Sequence, residues 1–325
     1  MAMETPRGKV AIYGCGGCGQ NIAARYSDMA GQETPGAAIL EPYFVDTSLA
    51  NLKEGMDKDR FFLMEAREGS GKVRTENRTE ISRAVLPILQ KFHPGDLNVV
   101  VFSGSGGTGS VAAPYLISKL LEDNRSVVAV VVGGDECERA AVNTVNTLKS
   151  LEGIAQKTGK TVMMYYEHLK PTDKRSAIDN RIWMVISALA SLMSRRNEAM
   201  DLQDLHNFFN FSHVTSAEPR LSALEVYTNN SEANQASDFA LAVASLLPNP
   251  DAESVTFRPE YLCVGYPEHP LPNKLEALHF VAGVDPIHGM FRNLTKSTDE
   301  IVRAKHARVA HDSIAIDVDS DGMCF

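Results

Sequence analysis

The chain has 325 residues, 44% of them hydrophobic, and 41 acidic against 32 basic side chains give a formal net charge of −9. That is enough apolar material to bury a core in one large or two smaller domains, while the acidic balance excludes a general binder of nucleic acid or anionic membrane. No apolar run reaches the roughly 20 residues that span a bilayer, and the start MAMETPRGKV lacks the apolar core of a signal peptide, so a cytoplasmic protein is expected.

VAIY (10–13) is the first predicted strand, and it runs into GCGGCGQNI. Gly14, Gly16 and Gly19 fit G-x-G-x-x-G, a weak dinucleotide signal when it stands alone. Cys15 and Cys18 form C-x-x-C, but Cys137, Cys263 and Cys324 supply no second pair, so reduced thiols are expected. The two cysteines then read as small residues that permit close ligand approach. YFVD (43–46) is the next strand, and Asp46 at its end stands where an acid could bind a ribose.

EGSGKV, Glu68 to Val73, resembles the end of a Walker loop, yet Ala66 replaces the first glycine and Val73 the metal-binding hydroxyl. It is not a P-loop. Gly69, Ser70 and Gly71 fit either a loop lining a terminal phosphate or a plain surface turn.

NVVVF (98–102) leads into SGSGGTGS, Ser103 to Ser110, and then into a helix over 111–121. Gly104, Gly106, Gly107 and Gly109 leave backbone N–H groups unshielded at the positive end of that helix, and Thr108 and Ser110 add hydroxyls. Such a turn can wrap a di- or triphosphate without a lysine. SVVAVVV (126–132) and TVMMYY (161–166) complete a series of strands alternating with helical stretches. The alternation predicts a mainly parallel sheet covered by helices, with ligands beyond the carboxyl ends of its strands.

From Ser176 to Met200 apolar residues recur at three- and four-residue steps and fill other faces too, as in a buried spine helix. VTFRPEYLCVGYP and LEALHFVAGV are strand candidates in a second, smaller α/β domain. Ser297 with Glu300 reads as a capping box opening a terminal helix through about His311. A tail carrying Asp312, Asp317, Asp319 and Asp321 but no basic residue follows. The expected division is 1–177, a central helix 178–200, a second domain 201–296, and terminal helix with tail 297–325.

With both glycine loops in this order, the chain resembles the tubulin/FtsZ superfamily of polymerising GTPases. SGSGGTGSVAAP is similar to its phosphate signature and GCGGCGQNI to its first loop. The resemblance implies a tubulin/FtsZ-like α/β fold that binds GTP or GDP with Mg2+. It implies nucleotide contacts from Gly16, Gly17, Cys18, Asn21 and Asp46, from Gly69 and Gly71, and from Ser105, Gly106, Gly107, Thr108, Gly109 and Ser110. Glu136, Glu138 and Arg139 match the ribose-holding segment, within a residue or two. Asn180 of IDN falls against the guanine edge, although a helix-capping role also fits it, and His168 stands where the family has asparagine.

Asp201 and Asp204 in MDLQDLHNFF lie 21 or more residues past Asn180, about 30 Å along a continuous helix at ~1.5 Å per residue. They cannot reach their own subunit's phosphates. The resemblance implies that they complete the GTPase site of the next subunit in a head-to-tail filament; decoration of a helix N-terminus is the other reading. Val111 after the signature and the acidic tail resemble the phage tubulins, whose tails dock on the next subunit, here with Ile314, Ile316 or Phe325 as anchors. A solvating tail also fits that composition. The implied role is a phage spindle that positions viral DNA and carries capsids or meets the phage-nucleus shell, without direct nucleic-acid or membrane contact. A plasmid-partitioning or cell-division homologue is the alternative, and a dinucleotide oxidoreductase a more distant one.

Overall fold

The computed structural model describes residues 7–52, 56–66, 68–170 and 172–311, the last seven as backbone only. The acidic tail and Cys324 lie outside these residues. The elements in chain order are β1 (Lys9–Cys15), α1 (Gly16–Ala23), β2 (Ile39–Asp46), β3 (Phe61–Leu63), α2 (Arg78–Lys91), β4 (Leu97–Ser103) and α3 (Gly109–Glu122). There follow β5 (Ser126–Gly134), α4 (Glu138–Thr158), β6 (Val162–Leu169), α5 (Arg175–Leu192), β7 (Asn197–Glu198) and α6 (Leu202–Phe209). The chain continues through β8 (Leu221–Tyr227), α7 (Asn230–Asn234), β9 (Ala242–Leu246), β10 (Tyr261–Pro267), β11 (Leu278–Gly283) and α8 (Asp285–His311).

One sheet runs through all eleven strands in the order β3-β2-β1-β4-β5-β6-β8-β11-β9-β10-β7. Its first six strands are parallel, in the doubly wound order whose direction reverses between β1 and β4. The second part extends the same sheet: β8 pairs parallel to β6, and β11 lies antiparallel between β8 and β9. Alternation along each strand divides the apolar residues between two cores. Val10 and Ile12 of β1 share one with Ile182, Ile186 and Leu189 of α5, while Ala11 and Tyr13 share the other with Ile81, Leu116 and Leu148 of α2, α3 and α4. Burial on both faces is why these strands read as continuous apolar runs.

Three expectations need correction. The spine helix stops at Leu192, not Met200. The apolar pattern gives way there to Ser194-Arg195-Arg196-Asn197, Arg195 takes a left-handed φ of 56°, and Asn197 pairs with Pro267 of β10. Its exposed Met184 also leaves one face uncovered. The rise counted along a continuous helix to Asp201 therefore does not apply. Second, the terminal helix opens at Asp285-Pro286 rather than at Ser297. Proline fits a first turn, and Ile287, Met290, Phe291 and Leu294 recur at helical spacing against the second core, carrying the helix through Ser297. Third, VTFRPEYLCVGYP becomes extended only from Tyr261, after Pro259.

Candidate functional site

Both glycine loops lie at the carboxyl ends of β1 and β4, where the sheet order reverses. Gly16 turns the chain from β1 into α1 with φ 68°, and a Cβ there would meet the Gly109 nitrogen at 3.0 Å. Close approach of the two loops thus requires glycine. Two adjoining cavities open above them. One, of about 270 Å³, is lined by Gly16, Asp46, Gly69, Ser70, Gly107 and Thr108. The other, of about 350 Å³, extends past Asn21, Lys72, Ser105, Glu136, Arg175 and Asp179. Gly17, Cys18 and Gly106 line both.

The first cavity is a nest of backbone donors braced by hydroxyls. Thr108 Oγ1 lies 2.9 Å from Thr47 Oγ1 and 3.2 Å from Ser70 Oγ, and Asn77 Nδ2 donates to Ser70 Oγ at 3.3 Å. Three loops distant in sequence are joined by that chain. Buried Asn143 of α4 donates to the carbonyls of Ser105 (3.1 Å) and Lys72 (2.9 Å), fixing two of them again. Unshielded N–H groups at the start of α3 and a rigid rim suit phosphate oxygens.

Asp46 is buried in this cavity, where it accepts from Gln20 Nε2 at 2.5 Å, Asn51 Nδ2 at 3.0 Å and the Thr47 N–H at 2.7 Å. Burial raises its carboxyl above the usual range despite those hydrogen bonds. It shares this cavity with Gly107 and Thr108 of the second glycine loop. Among the described residues no group of three His, Cys, Asp or Glu side chains is placed to hold a metal ion. A single carboxylate beside a phosphate nest fits magnesium, which keeps water and phosphate oxygens as most of its ligands.

In the second cavity Glu136 is paired with Lys72, Nζ to Oε1 at 2.6 Å. Burial by itself would raise the Glu136 carboxyl, but the hydrogen bonds from Lys72 and its own backbone and the charges of Lys72 and Arg175 hold it below the usual range. Burial, reinforced by Asp179, pushes the Cys18 thiol up to about 12. Burial raises Cys15 as well. Both are free cysteines, Cys15 buried and Cys18 half-buried at the edge of the cleft.

Several expected contacts are not in the lining. Ser110 is fully buried, and its Oγ donates to the Gly106 and Gly107 carbonyls at 2.6 and 3.2 Å, so it holds the loop rather than a ligand. Cys137 is extended (φ −156°), which puts Glu138 and Arg139 onto the first turn of α4, where they line an adjoining groove with Lys72, Arg74, Arg78 and Lys157. That groove, about 880 Å³, runs between α3 and α4. His168 points away because residues alternate along β6: Leu169 lines the cleft, whereas His168 lies 2.9 Å from Tyr166 Oη and 3.4 Å from Asp135. Asn180 is exposed beside the cleft and accepts from Arg25 at 2.9 Å, and its neighbours Ile178 and Asp179 do the lining.

Sequence reasoning missed Asn51, Lys72, Arg175 and Asp179. Asp179 had a signal in IDN and Lys72 in GSGK; Asn51 had none, since a short turn after β2 delivers it.

Asp201 and Asp204 form a reciprocal capping box at α6, each carboxylate accepting from the other's backbone N–H at 2.9 and 3.0 Å. Tyr261 Oη also donates to Asp204 Oδ1 at 3.4 Å. Helix α6 packs at the amino end of the parallel strands: His206 Nδ1 lies 3.2 Å from Ser126 Oγ, and Asn210 Oδ1 accepts from the Thr161 N–H at 3.1 Å. Ser126 opens β5 and Gly134 ends it at the cleft, eight residues on, or about 26 Å at ~3.3 Å per step. The acids and the cleft thus occupy opposite ends of the sheet.

The GTPase domain of the tubulin/FtsZ family matches residues 9–172, and the C-terminal domain of phage tubulin-like proteins matches residues 200–284. A phage tubulin-like protein of Pseudomonas phage PhiPA3 is 30% identical over 96% of each chain. One of Pseudomonas phage phiKZ is 26% identical over 98% of each. The fold superposes on a protofilament structure of TubZ from bacteriophage PhiKZ with a TM-score of 0.86, at 26% identity, over 97% of this chain and 99% of that one. Among the described residues no helix is long and apolar enough to cross a membrane.

Proposed function

The chain belongs to the tubulin/FtsZ family, most like its phage tubulins, and from that premise we propose that it binds GTP in the cleft, assembles head to tail and hydrolyses GTP where subunits meet. The observation that carries this reading is the placement of the Asp201/Asp204 pair at the opposite end of the sheet from the phosphate nest. A subunit built this way is incomplete by itself, and a translated copy brings the acids of one to the phosphates of the next. Such a heterologous contact does not close, so its product is a filament. Exposed Leu49 beside the cleft and exposed Leu202 and Leu262 at the other end supply apolar surface on both sides of that contact. The PhiKZ structure, described as a protofilament, supports the same arrangement.

Within the site, the nest at Gly106 to Gly109 holds the phosphates, Glu136 accepts from the ribose, and Asn21 and Asp179, with Asn180 exposed beside them, face the base. Magnesium would be held by phosphate oxygens and, through water, by Asp46, where it neutralises charge on the polyphosphate. Asp201 of the neighbour orients the attacking water. The acidic tail docks on the next subunit, and the groove edged by Arg74, Arg78, Arg139 and Lys157 is the surface whose charge suits it. Division at 1–177, 178–200, 201–296 and 297–325 is retained as a functional partition, with its helix ends moved as described. The cellular role that fits is a phage spindle in the host cytoplasm positioning viral DNA and its cargo.

Light scattering and phosphate release measured across protein concentration test this. Specific GTPase activity should be near zero below a threshold and rise with scattering above it. Turnover per molecule that is independent of concentration, without scattering, would overturn the proposal.

A further inference from the structure

Glu68 to Val73 lacks the spacing of a Walker loop, yet the fold packs it against the glycine nest and brings its lysine to the cleft. Gly71 (φ 49°) and Lys72 (φ 60°) both take left-handed backbone conformations, rare for a lysine. This turn presses the loop onto the nest, for a Cβ on Gly107 would lie 2.7 Å from Ser70 Cβ and 3.1 Å from the Lys72 nitrogen. From there the side chain reaches along the cleft, lining it with Gly17, Cys18, Ser105 and Gly106, and Nζ meets Glu136 Oε1 at 2.6 Å.

An ammonium has three N–H donors, and Glu136 takes one. Both partners are 43% exposed, and a pair so open to water adds little net stability. Its consequence is direction: the carboxylate keeps a flexible four-carbon chain extended over the cleft. Lys72 and Arg175 are the cations in this lining, against Glu136, Asp179 and the nearby Asp46. Arg175 opens α5 beside Ile178 and Asp179, at the nucleoside end. Lys72 springs from the loop that touches the phosphate nest.

We propose that Lys72 is a phosphate-binding residue of this cleft and that Glu136 is its positioning residue, so that one ion pair links recognition of the polyphosphate to recognition of the ribose. A strong phosphate contact then comes from a loop outside the glycine signature. This inference rests on the reading of the cleft as a GTP site.

The test is the affinity of GTP, GDP and guanosine for the full chain, wild type and variants, by competition with a fluorescent guanine nucleotide in magnesium buffer. Lys72→Ala should weaken GTP about tenfold or more, as loss of a charge-assisted phosphate contact does, and leave guanosine within about twofold. Lys72→Arg should recover most of the loss, and Glu136→Gln should weaken guanosine and weaken GTP further, because GTP then loses the positioned lysine as well as the ribose contact. Circular dichroism and melting confirm that each variant is folded, as expected for so exposed a side chain. GTP binding by Lys72→Ala within about twofold of wild type overturns the proposal, and so does an equal loss of GTP and guanosine. Failure of the wild type to bind GTP at all instead overturns the reading of the cleft.

Discussion

Asp201 and Asp204 each hold a backbone N–H at the start of α6, so an alanine at either position removes a helix cap as well as a carboxylate. An asparagine separates the two roles, because Asn caps as well as Asp but cannot act as a base or carry charge to a neighbour's site. Asp201→Asn should melt within about 0.5 kcal/mol of wild type, whereas Asp201→Ala loses about 1 kcal/mol. Both should bind GTP and assemble, yet hydrolyse at least about 100-fold more slowly, leaving long-lived filaments. Phosphate release by Asp201→Asn at the wild-type rate would leave the pair with capping alone. The residue scale is also where the sequence was least legible. The spacing of Glu136, Glu138 and Arg139 could not say that Cys137 is extended and sends the last two into a different groove. Nor could His168 be told from Leu169 without the pairing that fixes the faces of β6.

At the scale of elements, the strands that carry the cleft were legible because burial on both faces makes their sequences apolar throughout. Strands β8 and β9 are not evident from the sequence pattern, and a buried polar contact ties β9 to β11 and α7. His279 of β11 is fully buried, with Nδ1 2.9 Å from Ser245 Oγ of β9 and Nε2 2.7 Å from Asn230 Oδ1 of α7. Asn230 donates through its Nδ2 to the Glu253 carbonyl at 2.7 Å, so its oxygen accepts and the imidazole proton sits on Nε2. Burial lowers the imidazole pKa to about 4, from about 6.5 in a free chain. The unfolded chain therefore binds the extra proton first, and this contribution to stability is complete above about pH 6.5 and lost as pH falls toward 4, by up to ~1.4 kcal/mol per unit. Urea unfolding at pH 7, 5.5 and 4.5 should show a shallower decline for His279→Gln than for wild type. Equal slopes would show that some other group titrates.

The whole molecule is a sheet with different chemistry at its two ends: glycine-rich loops at the carboxyl ends of the parallel strands, a capped helix with two acids at the amino ends. Its basic groove between α3 and α4 shares Lys72 with the cleft. If the acidic tail docks there on the next subunit, removal of residues after His311 should abolish nucleotide-dependent scattering and leave GTP affinity within about twofold. Arg78→Glu should mimic the truncation. Arg78 is exposed and bonded to Tyr115 Oη at 3.2 Å, outside the cleft. Filaments of normal length from the truncated chain would argue against tail docking; normal filaments from Arg78→Glu alone would move the docking surface elsewhere.

The sequence by itself determined the ligand class and the kind of fold. A glycine-rich turn between an apolar run and a helix is written in consecutive residues, and its chemistry, unshielded N–H groups at a helix start, is local. The tertiary structure decided which side chains line the cleft, where α5 and α8 begin and end, and that a lysine from a segment without Walker spacing faces Glu136 across 64 residues of chain. Those outcomes depend on strand parity, on packing against a distant core and on the approach of separate loops, and none of these is carried by neighbouring residues alone.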